Sequence, residues 1–260
     1  MKPGMKAGTL YLIPATLADL KSEAGAGLLD ASLPPAVRAK TTTLTSFAVE
    51  NAKSARAFLK SLGMGQPIAE LDLTEIGHTP DEKALKPLVD KLLRGIDVGV
   101  LAEAGCPGIA DPGAQLVRMA HVAGVPVVPL TGPSSILLAL MAAGLDGQRF
   151  AFAGYAPVKS PQREAALKKL ETRSARERET QILIETPYRN GALFQALLAA
   201  LKGDTRLCVA IDLTLPGESV RTHRVSEWRA APPAYATLDK KPAVFLFLAD
   251  GPIDRAVSVR

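Results

Sequence analysis

Val98-Gly99-Val100-Leu101-Ala102-Glu103-Ala104-Gly105-Cys106-Pro107-Gly108-Ile109-Ala110-Asp111-Pro112-Gly113 decides the fold of this chain, together with Val125-Pro126-Val127-Val128-Pro129-Leu130-Thr131-Gly132-Pro133-Ser134-Ser135. Val98 to Ala102 is a short apolar run of strand character, bounded by turn signals. The loop behind it holds Gly105, Pro107 and Gly108, where glycine lets the backbone approach a ligand closely. Asp111 and Pro112 read as the N-cap and first position of a helix. Leu116, Met119, Ala120 and Ala123 follow at helical spacing, and Gly124 stops it. The pattern then repeats: strand from Val125 to Leu130, turn at Gly132-Pro133, helix from Ser134 to Ala143, stop at Gly144. Two such rounds predict a parallel α/β unit with both loops at one carboxyl edge, where open α/β sheets bind ligands. Neither loop is a GxGxxG fingerprint or a GxxxxGK[ST] phosphate loop. Backbone N–H groups and the hydroxyls of Ser134 and Ser135 offer polar contacts without net charge.

Working outward, 260 residues allow one large domain or two modest ones. Hydrophobic content of 47% and charged content of 22% are those of a globular protein, and 5% aromatics disfavours a surface built on base stacking. No apolar run reaches a membrane span, and the start lacks the apolar core of a signal peptide. Cys106 and Cys208 form no metal-ligand spacing and read as free thiols of a cytoplasmic protein. His78, His121 and His223 are scattered, so no structural metal is expected. A net charge of +5 favours an acidic partner. Much of it is local: between Lys159 and Arg178 seven basic residues face three acidic ones, including Lys168, Lys169, Arg173 and Arg176. That segment is a phosphate-binding surface or a solvated helix.

Taken in order, Gly8 to Pro14 is a first strand and Asp19 to Ala26 has helical character. Pro34-Pro35 begins a turn or short helix. Ser46 to Glu50 reads as a strand, Glu50 to Leu62 as a helix, 64–80 as irregular, and Pro80 to Leu93 as a helix. A boundary near Leu145 to Arg149 gives domains 1–147 and 148–260. The second half reads as a strand from Phe150 and a basic helix from Ser160. A strand over Gln181 to Glu185 follows, then a helix capped by Asn190 and strands at Arg206 to Leu213, Glu218 to Val225 and Ala243 to Ala249.

No Ser/His/Asp set, cysteine nucleophile or metal cluster can be assembled. A reaction that needs mainly positioning fits that absence, and methyl transfer from a sulfonium is one. The best polar cluster of the second half is Glu185-Thr186-Pro187-Tyr188-Arg189, where a strand ends and a helix begins. Glu185 suits accepting a proton or binding a polar group, and Arg189 suits holding a phosphate or carboxylate. The alternative is a salt-linked corner.

These residues carry a resemblance. Ala104-Gly105-Cys106-Pro107-Gly108-Ile109-Ala110-Asp111-Pro112-Gly113, Pro129-Leu130-Thr131-Gly132-Pro133-Ser134-Ser135 and Glu185-Thr186-Pro187-Tyr188-Arg189 resemble motifs of the tetrapyrrole methylase superfamily. Within it they are most similar to the branch that 2′-O-methylates a cytidine of small-subunit ribosomal RNA. The resemblance implies a two-domain α/β fold, each domain a mixed sheet flanked by helices. It also implies a homodimer, with S-adenosylmethionine in the interdomain cleft. It places the cofactor against Pro14, Gly105, Cys106, Pro107, Gly108, Ile109, Ala110, Asp111, Ser134 and Ser135, and against Ile184, Ala210 and Ala243 of the second domain. Glu185 and Arg189 become the catalytic candidates, and Lys168, Lys169, Arg173 and Arg176 the RNA-binding ones. Two segments depart from that branch: Pro14-Ala15-Thr16-Leu17-Ala18-Asp19 lacks its glycine and asparagine, and Val49-Glu50-Asn51-Ala52-Lys53 replaces A-E-D-T-R. Cofactor binding is therefore better supported than the ribosomal acceptor. The alternatives are methylation of a tetrapyrrole or other small acid, and a binding module without catalysis.

Overall fold

The computed structural model describes residues 6–17, 25–230, 238 and 240–249. The first half runs β1 (Leu10–Ile13), α1 (Gly25–Ser32), α2 (Pro35–Thr42), β2 (Ser46–Val49), α3 (Ala52–Leu62), β3 (Asp72–Glu75), α4 (Glu82–Leu93), β4 (Val98–Leu101), α5 (Ala114–Val122) and β5 (Val127–Pro129). Its five strands take the order β3-β2-β4-β1-β5, and every neighbouring pair is parallel. Period-two alternation sorts the side chains. Leu10, Ala48, Val98 and Val100 pack with Leu85, Leu88 and Leu92 of α4 and Leu116 of α5. Ile13, Phe47, Val49 and Leu101 pack on the other face with Leu29 of α1 and Phe58 and Leu59 of α3. Each large side chain so buried contributes about 1.5–3 kcal/mol. Because all strands run one way, all their carboxyl ends open on one edge.

Two expectations for this half change. Segment 64–80 holds a 3₁₀ turn and β3, whose half-exposed edge residues carry little apolar signal. The sheet is wholly parallel rather than mixed, since each strand returns through helical crossovers. The helix expected over Asp19 to Ala26 lies outside the described residues up to residue 24, and α1 begins at Gly25.

The chain divides into two compact units between Ser134 and Ser135. The second holds α6 (Ser135–Ala143), β6 (Phe150–Tyr155), α7 (Ser160–Glu177), β7 (Thr180–Ile184), α8 (Asn190–Ala200), β8 (Arg206–Ile211), β9 (Ser219–Arg224), α9 (Val225–Ala230) and β10 (Ala243–Leu248). This sheet is mixed, in the order β6-β7-β10-β8-β9, with only β6 and β7 parallel. Leu193, Phe194 and Leu197 of α8, Leu167 of α7 and Trp228 of α9 cover Leu207, Val209, Phe245 and Phe247. The boundary expected after Gly147 moves earlier because α6 lies against β8, β9 and β10, and the Thr222 hydroxyl donates to the Ala143 carbonyl at 2.7 Å. Chain continuity made α6 look like the last helix of the first domain; packing assigns it to the second. Asn190 does not cap α8 but is its first residue, buried, with Nδ2 donating to the Lys241 carbonyl at 2.6 Å. No helix among the described residues is long and apolar enough to cross a membrane.

Candidate functional site

At the carboxyl edge of the first sheet, three segments are joined into one surface. Ala15, just past β1, exchanges backbone hydrogen bonds with Gly105 at 2.8 and 3.2 Å. The Cys106 thiol donates to the Pro133 carbonyl at 3.4 Å, tying the first glycine–proline loop to the second. Gly132 presses on Pro14 so closely that a Cβ there would sit 2.3 Å from the proline Cβ. Gly105 has φ of 68°, which a side chain would strain. Pro14, Gly105, Cys106 and Pro133 are thus brought together. Pro107 is buried, while Ile109 and Ala110 point outward and Ala110 also adopts a positive φ of 65°. Ser134 ends the second loop, and Ser135 opens α6.

Asp111 does not cap α5. That helix begins at Ala114, its N-cap is Gly113 with φ of 138°, and no side chain closes it. Freed from that role, the Asp111 carboxyl is half-buried. Burial pushes it up to about 6, aided by the negative charges of Glu50 and Glu103 and opposed by His78. Burial and Asp111 also raise the Cys106 thiol, which therefore stays protonated at neutral pH.

Around Asp111 lies a group the sequence reading missed. Glu50 follows β2 directly, and its side chain is 4% exposed. Its Oε1 meets His78 Nδ1 at 2.7 Å, and its Oε2 accepts the Glu103 backbone N–H at 3.0 Å. His78, just beyond β3, is 81% exposed. No motif links these residues; the available signal was that each stands within a few positions of a parallel strand's carboxyl end.

At one end of the second sheet, Ile184 and Ala210 both pair with Val244, so Ile184, Ala210 and Ala243 converge across three adjacent strands. Glu185 follows β7, buried, and its Oε1 accepts from the Thr186 N–H at 2.7 Å and Arg189 Nη2 at 2.6 Å. Burial raises its carboxyl, but the Arg189 and Thr186 hydrogen bonds outweigh that and hold it below the ordinary glutamate value. Glu185 is therefore a weak proton acceptor and a firm anchor for Arg189. After β8, Asp212 and Thr214 have φ of 51° and 71°, and Asp212 pairs with Lys241 at 2.6 Å. Arg189 Nε, Asn190 Oδ1 and Thr214 Oγ1 are buried without a hydrogen-bond partner among the described residues.

The basic residues of α7 separate. Lys168 pairs with Glu164 at 2.6 Å along the helix. Lys169, Arg173 and Arg176 instead line an open depression of about 550 Å³ with Tyr155, Ala156, Leu167, Leu170 and Leu183. Arg173 and Arg176 hold Glu179 and Glu177 at 2.9 and 2.7 Å on the surface. Both cysteines are free, and among the described residues no group of three or more His, Cys, Asp and Glu side chains is placed to hold a metal.

A family model for tetrapyrrole (corrin/porphyrin) methylases matches residues 36–228. The chain is 37% identical over 150 residues to ribosomal RNA small subunit methyltransferase I of Vibrio cholerae, across 58% of this chain and 50% of that protein. It is 31% identical over 214 residues to the protein of the same name from Xylella fastidiosa, across 82% and 71%. The chain thus spans half the length of the first relative. Among solved structures the methyltransferase CobJ superposes with a TM-score of 0.57 over 98% of this chain and 97% of that one. At 16% identity that likeness bears on the fold alone.

Proposed function

The chain belongs to the tetrapyrrole methylase family, and from that premise we propose that it is an S-adenosylmethionine-dependent methyltransferase whose acceptor is a ribose 2′-hydroxyl of small-subunit ribosomal RNA. One observation carries the reading: Pro14 and the two glycine–proline loops form a single pre-shaped backbone surface, in a chain similar to proteins named for ribosomal RNA methylation.

The residues present fit the cofactor. The Ala15–Gly105 backbone pairing and the Cys106–Pro133 hydrogen bond fix both loops, and Gly132, where a Cβ would meet Pro14, lets them close on that proline and present backbone N–H and carbonyl groups to a ligand. In this reading Pro14, Gly105 to Asp111 and Ser134 hold it. When bound, the cofactor supplies a methyl carbon already activated by a positively charged sulfur. The chain's contribution is then to orient the acceptor, for which effective molarities of ~10⁵–10⁸ M set the scale. Arg189, fixed by Glu185, meets an anionic group of the acceptor. Lys169, Arg173 and Arg176 meet RNA phosphates, with Tyr155 beside them offering a face for a base. The resemblance adds a homodimer and a cytoplasmic location, the first checked by sedimentation.

Incubation with methyl-labelled cofactor and small ribosomal subunits tests the reading. After alkaline digestion, label belongs in an uncleaved dinucleotide, because a methylated 2′-oxygen cannot attack the adjacent phosphodiester. Label in mononucleotides, or only in a tetrapyrrole mixture offered in parallel, refutes it.

A further inference from the structure

A ribose hydroxyl is a weak nucleophile, and Glu185 is too firmly held by Arg189 and Thr186 to relieve it of its proton. The exposed imidazole at the carboxyl edge of the first sheet is better placed. We infer that His78, oriented by Glu50, is the base that takes the acceptor hydroxyl's proton; the inference rests on the methyl-transfer reading above. Glu50 Oε1 sits 2.7 Å from Nδ1, so that nitrogen carries the hydrogen and donates it to the carboxylate. Nε2 is left bare, with a lone pair, on a ring that is 81% exposed. Glu50 is itself fixed: its side chain is 4% exposed, and Oε2 accepts the Glu103 backbone N–H at 3.0 Å. A buried carboxylate holding one ring nitrogen sets the tautomer and steadies the imidazolium that forms.

The proton balance closes on these residues. The hydroxyl O–H bond breaks, its proton goes to His78 Nε2, and the electron pair stays on oxygen for the new bond to the methyl carbon, whose bond to the sulfonium sulfur would break with its electron pair left on a now neutral sulfur. The imidazolium's charge is then compensated by Glu50, and release of the Nε2 proton to water resets the base. The charged groups facing His78 are Glu50 at the end of β2 and Glu103 and Asp111 on the loop after β4. Glu50 acts as a positioning residue; Asp111 is the competing base that the experiment must separate.

Nitrogen-15 NMR of the intact chain with labelled histidine reads the tautomer without any turnover. His78 is expected to show a protonated Nδ1 and a bare Nε2 at pH 8, with that preference lost in Glu50→Gln. A His78 carrying its proton on Nε2, or an unchanged preference in Glu50→Gln, overturns the proposal. Kinetics supply the second arm. His78→Gln, which alters an exposed side chain, should bind S-adenosylmethionine as the parent does and transfer methyl about 10²–10⁴-fold more slowly. It should also lose the acidic limb of the pH–rate profile, while Asp111→Asn keeps that limb. Parental rates in His78→Gln, or loss of the limb only in Asp111→Asn, overturn the base assignment alone. No label in any RNA with the parent chain refutes the ribosomal reading and removes the base assignment with it.

Discussion

Replacing Asp111 by asparagine should stabilise the protein at alkaline pH and do little in acid. The Asp111 carboxyl is raised from 3.8 to about 6 by burial and by the charges of Glu50 and Glu103, against the opposing effect of His78. A raised folded-state value means that the protonated form is the one the fold favours. That contribution is fully present below pH 3.8 and is lost as the pH rises through about 6. Above it, the ionised side chain is a liability. At about 1.4 kcal/mol for each tenfold change, the full effect would be roughly 3 kcal/mol. The side chain is only half-buried, so screening by water reduces this to about 1–2 kcal/mol. The shape-conserving Asp111→Asn removes the charge and breaks no side-chain hydrogen bond among the described residues. At about 2–4 °C per kcal/mol, Tm should rise by about 2–8 °C at pH 8, and the gap should close at pH 4. Thermal melts of both proteins at the two pH values provide the check. An equal gap at both pH values, or a lower Tm for Asp111→Asn at pH 8, would show that the cluster does not strain this carboxylate.

Gly132→Ala should lower Tm and weaken S-adenosylmethionine binding by about tenfold or more in calorimetry, because the new Cβ would lie 2.3 Å from Pro14 Cβ and overpacking costs about 1–3 kcal/mol. Unaltered binding with unaltered Tm would mean that the second loop yields freely. Glu185→Gln should lower the unfolding free energy read by urea denaturation at pH 7, by about 1–2 kcal/mol for a pair whose Arg189 side is 41% exposed. The Glu185 carboxyl is held below its ordinary value, so its contribution is present above that value and fades as the pH falls below it; the gap should narrow below about pH 4. Glu185→Gln should also raise the acceptor KM, because Arg189 loses its anchor, and change kcat little; a fall in kcat comparable to that of His78→Gln would return the base to Glu185. The pair Lys169→Glu and Arg176→Glu should flatten the log–log salt dependence of RNA binding by about 1–2, whereas Lys168→Glu should change it little. Equal effects from all three positions would remove the depression beside α7 from the interface.

The sequence exposed elements whose signals are local. Val98 to Leu101 and Ala243 to Leu248 are buried along their whole length, so they read as unbroken apolar runs. Gly124 and Gly144 adopt positive φ where the reading placed helix stops. What was hidden depends on partners distant in the chain. β3 is an edge strand whose identity comes from pairing with β2. α6 resembles any helix after a strand until β8 to β10 claim it. Asp111-Pro112 has the local form of a helix start, and the loop's closure on itself, with Gly108 N–H donating to the Pro112 carbonyl at 3.1 Å, moves the helix to Ala114. In the site, the glycine–proline loops were legible because their chemistry is in the backbone. The Glu50 and His78 pair was not, because two residues from separate strand ends carry no shared spacing.

The strand order β3-β2-β4-β1-β5 also fixes when the protein can begin to fold. β1 precedes the other strands of its sheet in the chain, and both its neighbours, β4 and β5, come much later. At ~5–20 residues per second, the interval from Ile13 to Val98 lasts roughly 4–17 s. Throughout it Leu10, Leu12 and Ile13 have no sheet to enter. β2 and β3 can meet sooner, yet they leave a gap where β4 must insert before β1 can dock beside it. The nascent chain therefore carries a bare apolar strand through most of the first unit's translation, and shielding that strand becomes a task for the ribosome's surroundings rather than for the fold.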